Sequence, residues 1–132
     1  MGQFHIDLTA IVEKTKLRID DVVQKATFDI FRSVILKSPV DTGRFKANWQ
    51  SSVGSYASIS IDATDPSGTS TINAMASVAL STKAGNIVYL TNNLPYATFL
   101  EYGGSIQAPS GMVRTTITEY QQYINSAISG LR

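Results

Sequence analysis

The sequence predicts an α+β fold, with a long N-terminal helix, a small antiparallel or mixed β-sheet, short helices and a C-terminal helix. Three observations support this prediction. Apolar residues recur at helical spacing over residues 7–37, residues 49–63 and 87–91 show patterns typical of strands, and helical spacing returns after residue 116. The length of 132 residues suits one domain that spans the whole chain, residues 1–132.

The first predicted helix spans residues 7–37. Its apolar seam steps by three or four residues and consists of Leu8, Val12, Thr15, Ile19, Val22, Ala26 and Ile30. Asp7 is the predicted N-cap, and Pro39 ends the helical pattern. Such a helix would be about 45 Å long, which exceeds the roughly 30 Å diameter of a compact domain of this size. We therefore expect part of it to project or to pack on a neighbouring subunit; a helix broken near its middle is the alternative.

A sharp turn is predicted at residues 39–43, directly after the first helix. Asp41 and Thr42 can accept hydrogen bonds from nearby backbone N–H groups, and Gly43 permits an unusual φ angle. We expect a short helical turn over residues 44–48 to follow.

Strands and one helix are predicted between residues 49 and 91. Residues 49–53 and the alternating apolar residues of 57–63 predict a strand or hairpin, with Gly54 at a bend. A turn at 65–68 precedes a helix over 71–82. The run 87–91 is apolar on both faces, which is typical of a central strand.

The last third of the chain is predicted to contain two helices and one strand. Residues 95–104 form a short helix, with Pro95 at its first position and two glycines closing it. Residues 112–115 are predicted to be a strand. The capping box Thr116–Glu119 starts a C-terminal helix over 116–130.

Composition narrows the classes of partner. The net charge is +1 without a cluster of basic residues, so no strong field gathers nucleic acid. Charged residues make up 16% of the chain, below the usual value of about 25%, which favours contact with other proteins. The absence of cysteine excludes disulfides and thiolate metal sites. No membrane span and no signal peptide are recognisable, so we expect a cytoplasmic protein.

The triplet Asp41-Thr42-Gly43 is also the catalytic sequence of aspartic proteases, in which two aspartates share a proton and activate water. A homodimer of this chain could supply both aspartates. However, the triplet follows a predicted helix and a proline instead of an apolar strand, and Arg44 is bulky where the partner loop would crowd it. A turn that starts a helix is therefore favoured, and a dimeric aspartic protease is the remote alternative.

Other candidate sites have weaker support. His5 is the single histidine and lies near the chain end, so a solvated side chain is favoured over a catalytic triad or a zinc ligand. Residues 62–68 lack the alternating oxygens and the distal Glu of a calcium loop. The two glycines at 103–104 lack the surroundings of a phosphate cradle. We therefore expect no catalytic, metal or cofactor site.

Five aromatic residues could serve as base-stacking platforms, core residues or interface anchors: Trp49, Tyr89, Tyr96, Phe99 and Tyr102. Grooves that bind nucleic acid pair such rings with Lys and Arg. Lys83 is the only basic residue between Val53 and Met112. Core residues or anchors of a protein interface are therefore the favoured interpretations.

Two segments of the chain resemble signature segments of the tail-completion (neck) proteins of long-tailed bacteriophages. The first reads S-P-V-D-T-G-R-x-x-x-x-W over residues 38–49, and the second reads N-x-x-P-Y-A-x-x-L-E-Y-G-G over residues 92–104. Residues 107–114 are similar to the closing motif of one branch of that family. Many relatives carry Pro-x-x-Phe-Leu-Arg-Pro there instead.

The resemblance implies a structural virion protein at the head–tail junction, assembled in the host cytoplasm. It implies an oligomeric ring of identical copies that contacts other neck and tail proteins, namely the connector and the tail terminator. DNA would pass through the ring without sequence-specific binding, and no membrane is involved. A tail terminator or a head-closure connector is the alternative.

In that family the signature segments are assembly elements. The resemblance therefore implies structural or assembly roles for Pro39, Asp41, Thr42, Gly43, Arg44, Trp49, Asn92, Pro95, Tyr96, Glu101, Tyr102 and Gly103. We further expect the turn at 41–44 and the segment 95–104 to lie close together and to brace the sheet.

Overall fold

The computed structural model describes the backbone of residues 2–130 and the side chains of residues 18–130. The elements are α1 (Gly2–Lys37), α2 (Arg44–Ala47), β1 (Gln50–Val53), α3 (Thr69–Ala79), β2 (Val88–Thr91), α4 (Ala97–Glu101), α5 (Val113–Thr118) and α6 (Tyr120–Ser129). The predicted α+β class is confirmed, with its long first helix, small antiparallel sheet and C-terminal helix. Among residues 2–130, no helix has both the length and the apolarity that a membrane crossing requires.

Helix α1 begins at Gly2, so Asp7 lies inside the helix and the prediction that it is the N-cap is wrong. No proline or glycine separates Gln3 from Asp7, and nothing in that stretch stops the helix. The 36 residues of α1 correspond to about 54 Å of helix.

The buried face of α1 lies towards its C-terminal end. Of the predicted seam, residues 8–15 lie outside the described side chains, Ile19 is 47% exposed and Ala26 is buried. Val34 and Ile35, which the predicted seam left out, are among the most buried residues of the helix. The helix packs on α3, α5 and α6, and these contacts decide which positions face the core.

The sheet is a two-stranded antiparallel pair in which Ser51 lies opposite Leu90 and Val53 lies opposite Val88. Strand β2 is therefore not the central strand that the apolar run predicted. Its residues are half buried, and Leu90 packs against the buried cluster around Val34 and Phe45. Gly54 follows β1 with φ +88°, as a bend requires.

Residues 57–63 do not form a strand, although their apolar residues alternate. Side-chain amides take the place of a strand partner: Asn48 bonds to both the N–H and the carbonyl of Ile61, and the Gln50 and Asn93 amides donate to the Ile59 carbonyl. These side-chain bonds therefore hold the backbone of residues 57–63 without the hydrogen-bond ladder of a β-sheet.

The predicted helix over 116–130 is two helices, α5 and α6, that are interrupted at Glu119. The predicted strand over residues 112–115 is not present: residues 113–115 belong to the start of α5, and Met112 is the N-cap residue of that helix. The capping box does not form, because the Thr116 hydroxyl bonds to the Met112 carbonyl and Glu119 pairs with Lys37 of α1. This ion pair joins the interruption to the long helix.

Helices α3 and α4 lie close to their predicted positions with shifted starts. Helix α3 begins at Thr69, and α4 begins at Ala97, so Pro95 lies in the turn before α4 and not at its first position. The predicted glycine closure of α4 is confirmed. The Gly104 N–H bonds to the Phe99 carbonyl and Gly103 has φ +91°, as in a Schellman motif.

Within residues 18–130, buried apolar residues form two clusters that share one aromatic neighbour. The first cluster is Val34, Phe45, Leu94, Ala108 and Met112. The second cluster is Ile35, Met75 and Ala79. The half-buried Trp49 packs against both clusters and therefore links the two sides of α1.

Candidate assembly site

The two signature segments pack against each other. The Asn92 amide donates a 2.9 Å hydrogen bond to the Phe45 carbonyl. The ring of Phe45 lies 6.2 Å from that of Tyr96 and 5.7 Å from that of Trp49, in an edge-on arrangement with the latter. The expected proximity of the turn after α1 and the segment around α4 is therefore present in the fold.

The turn between α1 and α2 is built around Gly43. This residue has φ +91°, and a Cβ atom placed on it would lie 2.5 Å from the backbone nitrogen of Pro66. The Gly43 carbonyl also accepts a 3.0 Å bond from the Asp65 N–H. Only glycine satisfies both the left-handed backbone and the close approach of the 65–66 segment.

The Asp-Thr-Gly triplet therefore lies on a helix-to-helix turn and not between strands. Thr42 accepts a 3.3 Å bond from the Arg44 N–H, as a turn residue does. Asp41 is exposed, and within residues 18–130 its side chain has no hydrogen bond, so the expected bond from a nearby backbone N–H to the Asp41 carboxylate is not present. Pro39 is buried beside the end of α1, whereas the Arg44 side chain is exposed.

The second segment contains Glu101, which holds the start of α5. Its carboxylate accepts bonds of 2.9–3.2 Å from the N–H groups of Met112, Val113 and Arg114. These are orphan donors of a helix N-terminus, where a negative charge is stabilising. Arg114 returns a 2.6 Å bond to the Glu101 carbonyl and lies 4.7 Å above the Tyr102 ring.

Gly103 completes this arrangement. With φ +91°, it closes α4, and a Cβ atom at this position would lie 2.7 Å from the Pro109 carbonyl oxygen. The Glu-Tyr-Gly run thus joins α4, the loop before α5 and the first turn of α5. Each residue of this run therefore has its own role: Glu101 holds the start of α5, Tyr102 lies under Arg114, and Gly103 closes α4.

Three polar residues of this site were missed by the sequence prediction. Asn48 is fully buried and bonds to the Arg44 carbonyl as well as to Ile61. Gln107 bonds to both backbone groups of Val40, at 2.9 Å each, and so fastens the 105–110 loop to the turn. The sequence does not reveal these roles, because the Ile61 partner of Asn48 and the Val40 partner of Gln107 lie 13 and 67 positions away.

Asp65 is the third missed residue. Its carboxylate accepts bonds from the backbone N–H and the hydroxyl of Thr71, at 2.8 and 2.7 Å, in the first turn of α3. Desolvation by burial raises the pKa of the Asp65 carboxyl, but the bonds from Thr71, Gly68 and Ser67 outweigh it, so the pKa lies below its usual value. The charged carboxylate therefore stabilises both the 65–68 turn and the helix.

Large apolar side chains are exposed next to this framework. Phe99 on α4 and Tyr102 directly after it are 65% and 69% exposed, and Ile106 in the following loop is 98% exposed. We call these three residues the α4 surface. The interpretation of these two aromatic residues as core residues is wrong, which leaves an interface as the alternative that their exposure fits.

The part of the chain that the structure describes offers few candidates for a metal-binding or reactive site. No three His, Asp or Glu side chains there lie close enough together to hold a metal ion. Each prominent polar cluster described above consists of side chains that bond to backbone. Such an arrangement fixes loops in place.

Comparison with known proteins supports the family resemblance that the two signature segments indicate. A family model described as "Bacteriophage HK97-gp10, putative tail-component" matches residues 3–103. This range includes the turn after α1 and the second segment as far as Gly103. No curated protein and no solved structure matches the sequence. The resemblance to phage tail-completion proteins is confirmed, and the chain belongs to the HK97-gp10-like family of phage tail components.

Proposed function

We propose that this protein is a structural component of the head–tail junction, where it completes the tail or forms the neck. A phage tail component implies a location in the virion and contacts with other tail proteins. The observation that carries the proposal is the α4 surface. It exposes large apolar side chains on a framework fastened by Glu101, Gly103 and Gln107.

Interface chemistry supports this proposal. Exposed aromatic side chains beside an arginine are typical of the residues that dominate protein–protein binding energy. Here Tyr102 lies under Arg114, and Glu101 orients that arginine. The rigid backbone below the α4 surface lowers the entropy cost of binding, because little must be ordered on association.

The proposed assembly is a homo-oligomeric ring in contact with the connector and the tail terminator. Helix α1 supports this, since about 54 Å of helix offers a long face to a neighbouring copy. The net charge of +1 suits a channel through which DNA slides without sequence-specific contacts.

The proposed role is non-catalytic. The Gly43 carbonyl accepts a hydrogen bond from the Asp65 N–H, and the Asp41-Thr42-Gly43 triplet lies between α1 and α2. Neither feature suits a protease dyad. A protease should cleave peptides and lose that activity on Asp41→Asn. The purified protein should instead cleave no peptide in a mixed library, with or without that substitution.

Gene disruption tests the proposal directly. Lysates of the parent phage without this gene, imaged by negative-stain electron microscopy, should contain filled heads and full-length tails that are not joined. Tails of abnormal length would support a tail terminator instead, and heads that leak DNA would support a head-closure connector. Normal infectious particles would overturn the proposal.

A matched pair of variants tests the α4 surface. Phe99→Ala/Tyr102→Ala should fold normally but should fail to restore joined particles when supplied from a plasmid. Tyr120→Ala removes a side chain of similar exposure (52%) from α6 and should restore them. Equal restoration by both would show that the α4 surface is not the contact.

A further inference from the structure

A groove of about 500 Å³ lies between β1, α3 and residues 61–65. Gln50 and Ser51 of β1 form one wall, and Ala74 and Val78 of α3 form another. Met75 and Trp49, both part of the packed interior, also line it. We call this cavity the β1 groove.

The backbone of β1 is open on the side away from β2. The Gly54 N–H bonds to the Ile87 carbonyl at 2.8 Å, which extends the ladder beyond Val53. Since hydrogen-bonded and non-hydrogen-bonded pairs alternate in an antiparallel sheet, Ser51 and Val53 direct their N–H and carbonyl groups away from β2. Within the part of the chain with described side chains, no group bonds to the backbone of these two residues.

The lining of the groove suits a neutral peptide backbone. Alanine and serine side chains contribute much of the wall and allow another chain to approach closely. Among the lining residues in the described part of the chain, Asp65 is the only charged one, and hydrogen bonds from Thr71 already engage its carboxylate. A charged occupant would lose hydration without meeting an opposite charge that is free of other hydrogen bonds, and this desolvation costs more for a charged group than for a neutral one.

We infer that the β1 groove binds an extended, uncharged segment of another virion protein, which adds to the outer edge of β1 as a third strand. This rests on the proposed function, because the partner comes from the virion. Two-stranded sheets are marginal on their own and gain stability from a third strand. Main-chain hydrogen bonds to Ser51 and Val53 would supply affinity, and the groove would select small or apolar side chains.

Filling the groove tests this inference. Ala74 is exposed on α3 and lines the groove, whereas its neighbour Asn73 is exposed and does not. Ala74→Trp should keep the circular dichroism spectrum and melting temperature of the parent protein but reduce the yield of joined particles at least tenfold. Asn73→Trp should leave that yield unchanged.

The test of the groove inference can fail independently of the gene-disruption test of the proposed function. If gene disruption leaves heads and tails unjoined but Ala74→Trp restores them fully, the groove inference fails and the proposed function stands. If disruption leaves normal particles, the proposed function itself fails.

Cross-linking identifies the occupant. A photo-reactive side chain at Ser70, on the exposed rim of the groove, should cross-link in joined particles to an uncharged segment of a different virion protein. Cross-links to a second copy of this chain, to a charged segment, or to nothing would overturn the inference.

Discussion

The indole nitrogen of Trp49 donates a 2.7 Å hydrogen bond to the hydroxyl of Ser38, which donates in turn to the Val34 carbonyl. Ser38 is the first residue after α1, and Trp49 immediately precedes β1. The bond therefore joins the end of the long helix to the start of the sheet. It also fixes the ring that packs on both core clusters.

Removing the Ser38 hydroxyl should be costly because it leaves the indole N–H without its partner. We expect Ser38→Ala to lower the free energy of unfolding by about 1–3 kcal/mol in urea denaturation. Ser110→Ala, at an exposed position, should change it by less than about 0.5 kcal/mol. In a double-mutant cycle with Trp49→Phe, simple additivity would contradict the proposed coupling.

Gly43 and Gly85 share φ +91° but differ in surroundings, which makes them a matched pair. Gly85→Ala has no atom within 4 Å of the new Cβ and should cost about 1–2 kcal/mol, from left-handed strain alone. Gly43→Ala should cost about 1–3 kcal/mol more, because its Cβ overlaps Pro66. Equal losses in urea denaturation would show that the turn moves away freely.

Glu101 should be essential for the start of α5. Glu101→Ala removes the acceptor of three backbone N–H groups and should lower the free energy of unfolding by about 1.5–3 kcal/mol. Glu101→Gln keeps one acceptor oxygen without the charge and should lose about half as much. Amide exchange at Val113 should accelerate in the alanine variant; unchanged protection there would rule out the capping role.

Asp65 should give the protein an acid-sensitive component of stability. The pKa of its carboxyl is lower in the folded state than in the unfolded state. Between these two pKa values the unfolded state binds more protons, so stability rises with pH there. This contribution is complete above the usual carboxyl pKa and is lost as the pH falls through the lower folded value. The Asp65→Asn variant should therefore lose less stability than the parent protein as the pH falls below about 4. The Thr71→Val variant should lose an intermediate amount. Parallel curves would contradict this assignment.

Asp41 should contribute little to folding, since its exposed side chain has no hydrogen bond within the described residues. We expect Asp41→Ala to change the free energy of unfolding by less than about 0.5 kcal/mol. If the residue has an assembly role, particle yield should fall while stability stays constant. A variant that unfolds would show a structural role that the described contacts do not explain.

Local chemistry was sufficient to predict most of the elements. The apolar period of α1, the proline after it, the glycines at 43, 54 and 103, and the short apolar run of β2 all act through neighbours in the chain. Backbone sterics and helix periodicity operate over a few residues, so a single sequence reports them. The order of the two signature segments was likewise enough to identify the family.

Long-range contacts decided the rest. Residues 57–63 alternate like a strand, yet side-chain amides from Asn48, Gln50 and Asn93 satisfy their backbone. The interruption at Glu119 lies beside a lysine of α1, and Glu101 caps a helix that begins twelve residues later. The sequence by itself determined the periodic elements and their turns. The tertiary structure decided which polar side chains replace a ladder or a cap, because such bonds depend on segments that only folding brings together.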